Sequence, residues 1–97
     1  MVVKMYVIVV YDISTETNEG KKRLPKVMKK CRQYLHHTQK SVFEGELTEA
    51  KLIALSTSLQ KIINKEEDYV VIYKLPNRKN LERQNIGIDF DPTANIL

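Results

Sequence analysis

The chain has 97 residues, of which 42% are hydrophobic, and a formal net charge of +4 at pH 7. This length supports one small core, so we predict a single domain over residues 1–97, with 91–97 as a short C-terminal tail. No apolar run approaches the ~20 residues that span a bilayer, and the N-terminus lacks the pattern of a signal peptide. With a single cysteine, Cys31, no internal disulfide can form, which fits a reducing cytosol. Together these features predict a cytoplasmic protein without membrane contact.

The basic residues are unevenly distributed along the chain. Eight of the sixteen lie between Gly20 and Phe43, a segment without any acid. The rest of the chain has eight basic and twelve acidic residues. One strongly positive face is therefore predicted, which favours a polyanionic partner.

The first half of the chain predicts a strand, a polar loop and a helix. The strand covers residues 2–11, is apolar enough to be central in a sheet, and ends at Asp12. The helix covers about residues 21–35, where Pro25 is unfavourable in an interior turn by about 3 kcal/mol. We expect a regular helix from near Arg23, the alternative being an earlier start with a kink at the proline. The apolar stripe comprises Leu24, Val27, Met28, Cys31 and Leu35.

The second half predicts more strands and a second helix. Residues 38–47 are extended, and Gly45 indicates a bulge, a bend or a break between two short strands. Thr48 is the expected N-cap of a helix over residues 49–64. A strand at 68–75 is nearly all apolar, and residues 83–90 alternate as in a half-buried strand.

This order predicts an α+β fold. Two helices would cover one face of a small mixed, mainly antiparallel sheet, as in a ferredoxin-like sandwich.

Asp12 stands where the first strand leaves the sheet, a common place for functional groups. It is either a turn residue or a metal ligand, and the residues alone favour the turn because magnesium needs several oxygen ligands. A two-fold axis would supply a second Asp12. A bound metal would then support phosphodiester hydrolysis.

The basic helix either faces solvent or contacts phosphates. Exposed helices normally alternate acids with bases, so the missing acids favour phosphate contacts that do not depend on base sequence. His36 and His37 fit surface or cap positions better than acid–base catalysis, and Cys31 fits the core. The candidate nucleic-acid-binding residues are Lys21, Lys22, Arg23, Lys26, Lys29 and Lys30.

Three segments carry a family resemblance. Residues 6–13, the helix segment Lys29-Lys30-Cys31 and above all residues 39–48, which contain Ser-Val-Phe-Glu-Gly, resemble the small CRISPR-associated adaptation protein. Members of that family are the second core protein of spacer acquisition and the partner of the CRISPR integrase. The resemblance covers about residues 5–90.

The resemblance implies a symmetric homodimer in which the last strand of each protomer extends the sheet of the other. It implies that Asp12 is the catalytic and metal-binding residue, facing its symmetry mate and holding Mg²⁺. Lys21 and Arg23 match basic positions of the family, whereas His37 or Thr38 replaces a further one. Tyr11, Ser41 and Phe43 are expected at the dimer cleft, with the core as the alternative for Tyr11 and Phe43. From residue 88 onward the segment would contact the integrase, through Ile96 and Leu97.

Three functions follow as hypotheses. The first is a homodimeric scaffold that binds double-stranded prespacer DNA and bridges integrase dimers. The second is a metal-dependent endonuclease on RNA or DNA that acts through Asp12. The third, a ferredoxin-like module for a small ligand, predicts no nucleic-acid affinity and is disfavoured by the basic helix.

Overall fold

A computed structural model describes residues 3–88 of the protein. The elements in chain order are β1 (Lys4–Asp12), α1 (Asn18–Arg32), β2 (His36–Gln39), β3 (Val42–Thr48), α2 (Glu49–Ile62), β4 (Tyr69–Leu75) and a 3-10 helix (Arg78–Asn80). The strands lie in the order β2-β3-β1-β4, and each neighbouring pair is antiparallel. The α+β, ferredoxin-like prediction is confirmed, although this sheet is antiparallel throughout rather than mixed.

The hydrophobic core lies between the sheet and the two helices. Along β1, alternate side chains point to opposite faces. Val7, Val9 and Tyr11 are buried under the helices, whereas Ile8 and Val10 point to the other face and are only half-buried. The helices complete the core with Val27, Cys31, Leu52, Leu55 and Leu59. Within residues 3–88, neither helix has the length and apolarity needed to cross a membrane.

Helix α1 begins earlier than expected. The Thr17 hydroxyl accepts a hydrogen bond from the Gly20 amide at 3.0 Å, so the helix starts at Asn18. The expected start near Arg23 is therefore wrong, because the cap fixes the first turn upstream of Pro25. Pro25 lies inside the helix.

The segment that we expected to bulge, bend or break at Gly45 forms a β-hairpin, and its irregularities lie at other residues. The turn lies at Lys40 and Ser41, between β2 and β3, and a register shift occurs near residue 38. Gly45 pairs with Val7 inside β3, where an added Cβ would lie 3.2 Å from a methyl group of Leu35. Close packing explains this glycine, not a break in the strand.

The strand expected at residues 83–90 does not form within residues 83–88. That part of the chain forms no backbone ladder with any of the described strands, and Ile86 and Ile88 are 88% and 74% exposed. Alternating apolar residues need a neighbouring strand before they form a ladder. The expected tail contacts at Ile96 and Leu97 lie outside the described residues.

Candidate nucleic-acid interface

Asp12 is the last residue of β1 and is exposed. It pairs with Tyr69 of the neighbouring strand β4. Within residues 3–88, no three His, Cys, Asp or Glu side chains come together as a group that could hold a metal ion. A single exposed carboxylate does not fit Mg²⁺, which prefers six oxygen ligands in octahedral geometry. One protomer therefore presents Asp12 without completing a magnesium site.

The loop that follows Asp12 is fixed by Asp68, whose side chain is 0% exposed. The Ser14 amide donates a hydrogen bond to Asp68 Oδ1 at 3.0 Å, and the Asn64 amide donates to Oδ2 at 2.9 Å. Burial alone would raise the pKa of Asp68, but hydrogen bonds from Arg23, Asn64 and Ser14 outweigh it and hold this pKa below its usual value. Asp68 is thus an ionised carboxylate that joins the loop to α1 and to the end of α2.

Arg23 differs from the other basic residues of α1 because its guanidinium is already bound by acids. Its Nε donates to Asp68 Oδ2 at 2.7 Å, and its Nη2 lies 2.9 Å from Glu67 Oε2. Only 14% of the Arg23 side chain is exposed. The structure therefore directs the guanidinium of this predicted phosphate contact toward two acids of the protein.

Three of the other basic residues of α1 form a lysine stripe, defined as Lys22, Lys26 and Lys29. These exposed residues are spaced by four and three positions, so they lie on one side of the helix, opposite the buried Val27 and Cys31. Two further candidates flank the stripe. Lys21 is exposed, and Lys30 is half-buried and donates to Gln33 at 3.2 Å.

The hairpin turn near the end of β1 is held through the Lys40 carbonyl. It accepts a hydrogen bond from the Tyr11 hydroxyl at 3.0 Å and lies 3.1 Å from His37 Nε2. The His37 ring stacks on Phe43 with centroids 4.4 Å apart. His37 therefore packs against the hairpin, where it supports the turn.

Tyr11 and Phe43 are core residues of the protomer, 2% and 0% exposed, with ring centroids 6.0 Å apart. This burial agrees with the core, the alternative expected for both residues, and their position at a dimer cleft stays a prediction. Ser41 is half-buried in the turn, and its carbonyl accepts a hydrogen bond from the Tyr11 amide at 3.1 Å.

Glu44 is a second buried carboxylate, 2% exposed, on the sheet face opposite the helices. It accepts hydrogen bonds from the Tyr6 hydroxyl at 2.7 Å and from the Thr38 hydroxyl at 2.8 Å, and it pairs with Arg83. Burial, together with the hydrogen bond to this carboxylate, raises the pKa of Tyr6 to about 12. We did not predict the role of Glu44 from the sequence, although an acid within an apolar strand indicates a carboxylate that needs hydrogen-bonding partners.

The sheet face opposite the helices also carries a row of apolar residues beside the buried Glu44, and we call this row the open face. The strand registers place on it Ile8, Val10, Val42, Val71 and Tyr73. Tyr73 is 55% exposed, and the four aliphatic residues are half-buried. Contiguous apolar patches of this kind commonly mark protein interaction sites.

The architecture defines a class of small, antiparallel α+β sandwich with one basic helix and one uncovered apolar sheet face. A family model, CRISPR associated protein Cas2, matches residues 5–83 of this chain. The chain belongs to the Cas2 family.

Individual relatives agree with this family. The chain is 47% identical over 90 residues to CRISPR-associated endoribonuclease Cas2 2 of Moorella thermoacetica, covering 93% of this chain and 99% of the relative. It is 42% identical over 94 residues to CRISPR-associated endoribonuclease Cas2 of Fusobacterium nucleatum, covering 97% and 88%.

Solved structures share the fold. A crystal structure of cas2 aligns with a TM-score of 0.78 and 40% identity over 92% of this chain and 93% of that one. Streptococcus pyogenes Cas2, crystallised at pH 6.5, aligns with a TM-score of 0.70 and 37% identity over 84% and 100%.

Proposed function

We propose that this protein is a homodimeric scaffold of CRISPR adaptation, which acts in the cytoplasm, binds double-stranded prespacer DNA and bridges integrase dimers. The lysine stripe is the single observation on which the DNA-binding role depends most. Three exposed ammonium groups lie on one side of α1, and Glu19 in the first turn is the only acid of that helix. A surface of this kind attracts phosphate oxygens and binds a duplex without reading its base sequence.

The test is the salt dependence of duplex DNA binding. In the triple variant Lys22→Gln, Lys26→Gln, Lys29→Gln, a dimer loses six lysines, so the slope of log K against log salt should fall by about 5, because each phosphate contact contributes about 0.9. A charge-matched control replaces three exposed lysines outside α1. These are Lys4, Lys74 and Lys79. An equal loss in both triple variants would contradict a localised interface.

A second copy of the chain is the proposed occupant of the open face. One protomer leaves an apolar sheet surface uncovered, and sheets bury such surfaces by packing face to face. A two-fold pair would also provide a second Asp12, which a single protomer lacks. Two carboxylates with waters and phosphate oxygens form a more suitable Mg²⁺ environment than one.

We propose that the integrase contacts the C-terminal segment. Ile86 and Ile88 are exposed where the described chain ends, and Ile96 and Leu97 follow in sequence. An apolar segment of this kind can add a strand to a partner sheet or insert into a groove. Deleting residues 89–97 should abolish pull-down of the integrase while duplex DNA binding persists. Retention of the integrase by the truncated chain would contradict this contact.

The decisive assay for the scaffold is integration with the cognate integrase, Mg²⁺, a prespacer duplex and a repeat-containing plasmid. Wild type is compared with Asp12→Asn, which removes the charge of an exposed side chain and leaves its size unchanged. Equal integration by both proteins supports a scaffold in which Asp12 chemistry is dispensable. Loss of integration by a variant that still dimerises would assign Asp12 to the mechanism.

A metal-dependent endonuclease is the second candidate, and two observations favour it. Asp12 is exposed at a strand end, and relatives at 47% and 42% identity bear the name endoribonuclease. This function predicts Mg²⁺-dependent cleavage of RNA or DNA that disappears in Asp12→Asn. The same cleavage in wild type and variant would exclude Asp12 as its source.

A further inference from the structure

The segment that leaves β1 is held at three points. Asp12 pairs with Tyr69 across the sheet, and the Ser14 amide donates to Asp68 at 3.0 Å. The Ser14 carbonyl lies so close to Gly20 that a Cβ added there would be 1.8 Å from the carbonyl oxygen. The path of the chain directly after Asp12 is therefore set by packing against α1 and by one buried carboxylate.

Arg23 stabilises the buried carboxylate of Asp68. An ionised carboxylate with a fully buried side chain needs charged or hydrogen-bonding partners. Arg23 supplies two of its donors, with Nε at 2.7 Å from Oδ2 and Nη2 at 3.3 Å from Oδ1. The same Nη2 also reaches Glu67, so the planar fork is shared between two acids. A lysine could not reproduce this fork because it offers a single nitrogen.

We propose that Arg23 is a positioning residue: through Asp68 it locks the Asp12–Ser14 segment, and it does not bind phosphate. This inference deepens the proposed function, because it divides the basic residues of α1 into two groups. The lysine stripe faces solvent and is available to DNA, whereas Arg23 is 14% exposed and faces acids. A phosphate that approached the Nε and Nη2 donors of Arg23 would have to displace Asp68 and Glu67.

Two readouts separate positioning from phosphate binding. The first is the salt slope of duplex DNA binding, compared among wild type, Arg23→Gln and Lys22→Gln. We expect Lys22→Gln, which removes two lysines from the dimer, to lower the slope by about 1.8 and Arg23→Gln to leave it unchanged. The second is amide hydrogen exchange. Exchange at Ser14 should accelerate at least tenfold in Arg23→Gln, while exchange at Val9 in the centre of β1 stays at the wild-type rate.

Arg23→Lys tests the fork itself and serves if Arg23→Gln does not fold. It keeps the positive charge, so a phosphate-binding role predicts wild-type exchange at Ser14, whereas the lock predicts faster exchange. A slope that falls by about 1.8 in Arg23→Gln overturns the proposal, as does wild-type exchange at Ser14 in either variant. If wild type binds no duplex, the proposed function fails, and the exchange rates alone still decide whether the lock exists.

Discussion

Two carboxylates, Glu44 and Asp68, organise polar contacts between segments that are distant in sequence. Glu44 joins β1, β2 and the segment after the 3-10 helix through Tyr6, Thr38 and Arg83. Asp68 joins the loop after β1 to the end of α2. Each buried carboxylate accepts hydrogen bonds from several donors, which is the condition under which such burial is tolerated. Among the buried side-chain polar atoms of the described part of the chain, none lacks a hydrogen-bond partner.

The Tyr6–Glu44 hydrogen bond predicts a specific loss of stability at high pH. The pKa of Tyr6 is raised from 10.0 to about 12 in the folded protein. Because the folded-state pKa exceeds the unfolded one, the contribution is fully present below pH 10 and is lost as pH rises toward 12. Tyr6→Phe cannot ionise at this position. Denaturant unfolding should show wild type more stable by about 1 kcal/mol at pH 7, with the difference shrinking above pH 10.

The other tyrosines provide the control for this measurement. They are present in both proteins, so their titration cancels in the difference between wild type and Tyr6→Phe. A difference that remains constant from pH 7 to pH 11 would show that the Tyr6 hydroxyl is not the titrating group.

At the scale of the elements, Gly20 fixes how α1 meets the loop before it. An alanine inside a helix is normally more stable than glycine by about 0.5–1 kcal/mol. Here the added Cβ would collide with the backbone of Ser14, so we expect Gly20→Ala to destabilise the fold by about 3 kcal/mol. Gly45→Ala is the matched comparison, because its Cβ meets the movable end of Leu35. Thermal unfolding should show the larger loss for Gly20→Ala, and equal losses would contradict this account.

Pro25 predicts the opposite sign for a substitution in the same helix. Proline has no N–H, so the Lys21 carbonyl lacks its regular helical partner. Pro25→Ala restores that hydrogen bond at an exposed position and should raise stability by about 1–2 kcal/mol, since part of the gain is offset by a freer unfolded chain. Denaturant unfolding measures the change. A loss of stability instead would show that the backbone conformation imposed by Pro25 is required for packing.

The sequence predicted the elements whose periodicity is strong, and it failed where a single contact decides. The stripes of α1 and α2 and the apolar strands β1 and β4 were predictable from spacing. The start of α1 depends on the cap formed by Thr17, and the glycine at position 45 depends on Leu35, which lies beside it just before β2. Asp12 was visible at a strand end, whereas the function of Asp68 needs three backbone segments to be folded together. The apolar and polar residues of 83–88 alternate as in a strand, but in one protomer no described strand lies beside them.

For the whole molecule, charge and apolar surface lie on opposite sides of the sheet. The helices carry the lysine stripe on one side, and the open face is on the other. Two copies that bury their open faces would therefore display two basic helices outward, on opposite sides of the dimer. A duplex that contacts both gains affinity by multivalency, since the second contact is intramolecular.

Val71→Asp tests this arrangement because Val71 lies opposite Val10 on the open face. A buried unpaired carboxylate is costly, so we expect the dimer to dissociate at least 100-fold more readily in sedimentation equilibrium. Ile53→Asp introduces the same acid on the exposed surface of α2 and should leave the dimer intact. The monomeric variant retains its lysine stripe but offers only one per particle, so its salt slope for duplex DNA should fall to about half of the wild-type value. A dimer that survives Val71→Asp would place the second copy elsewhere and remove the reason to expect two Asp12 carboxylates at one site.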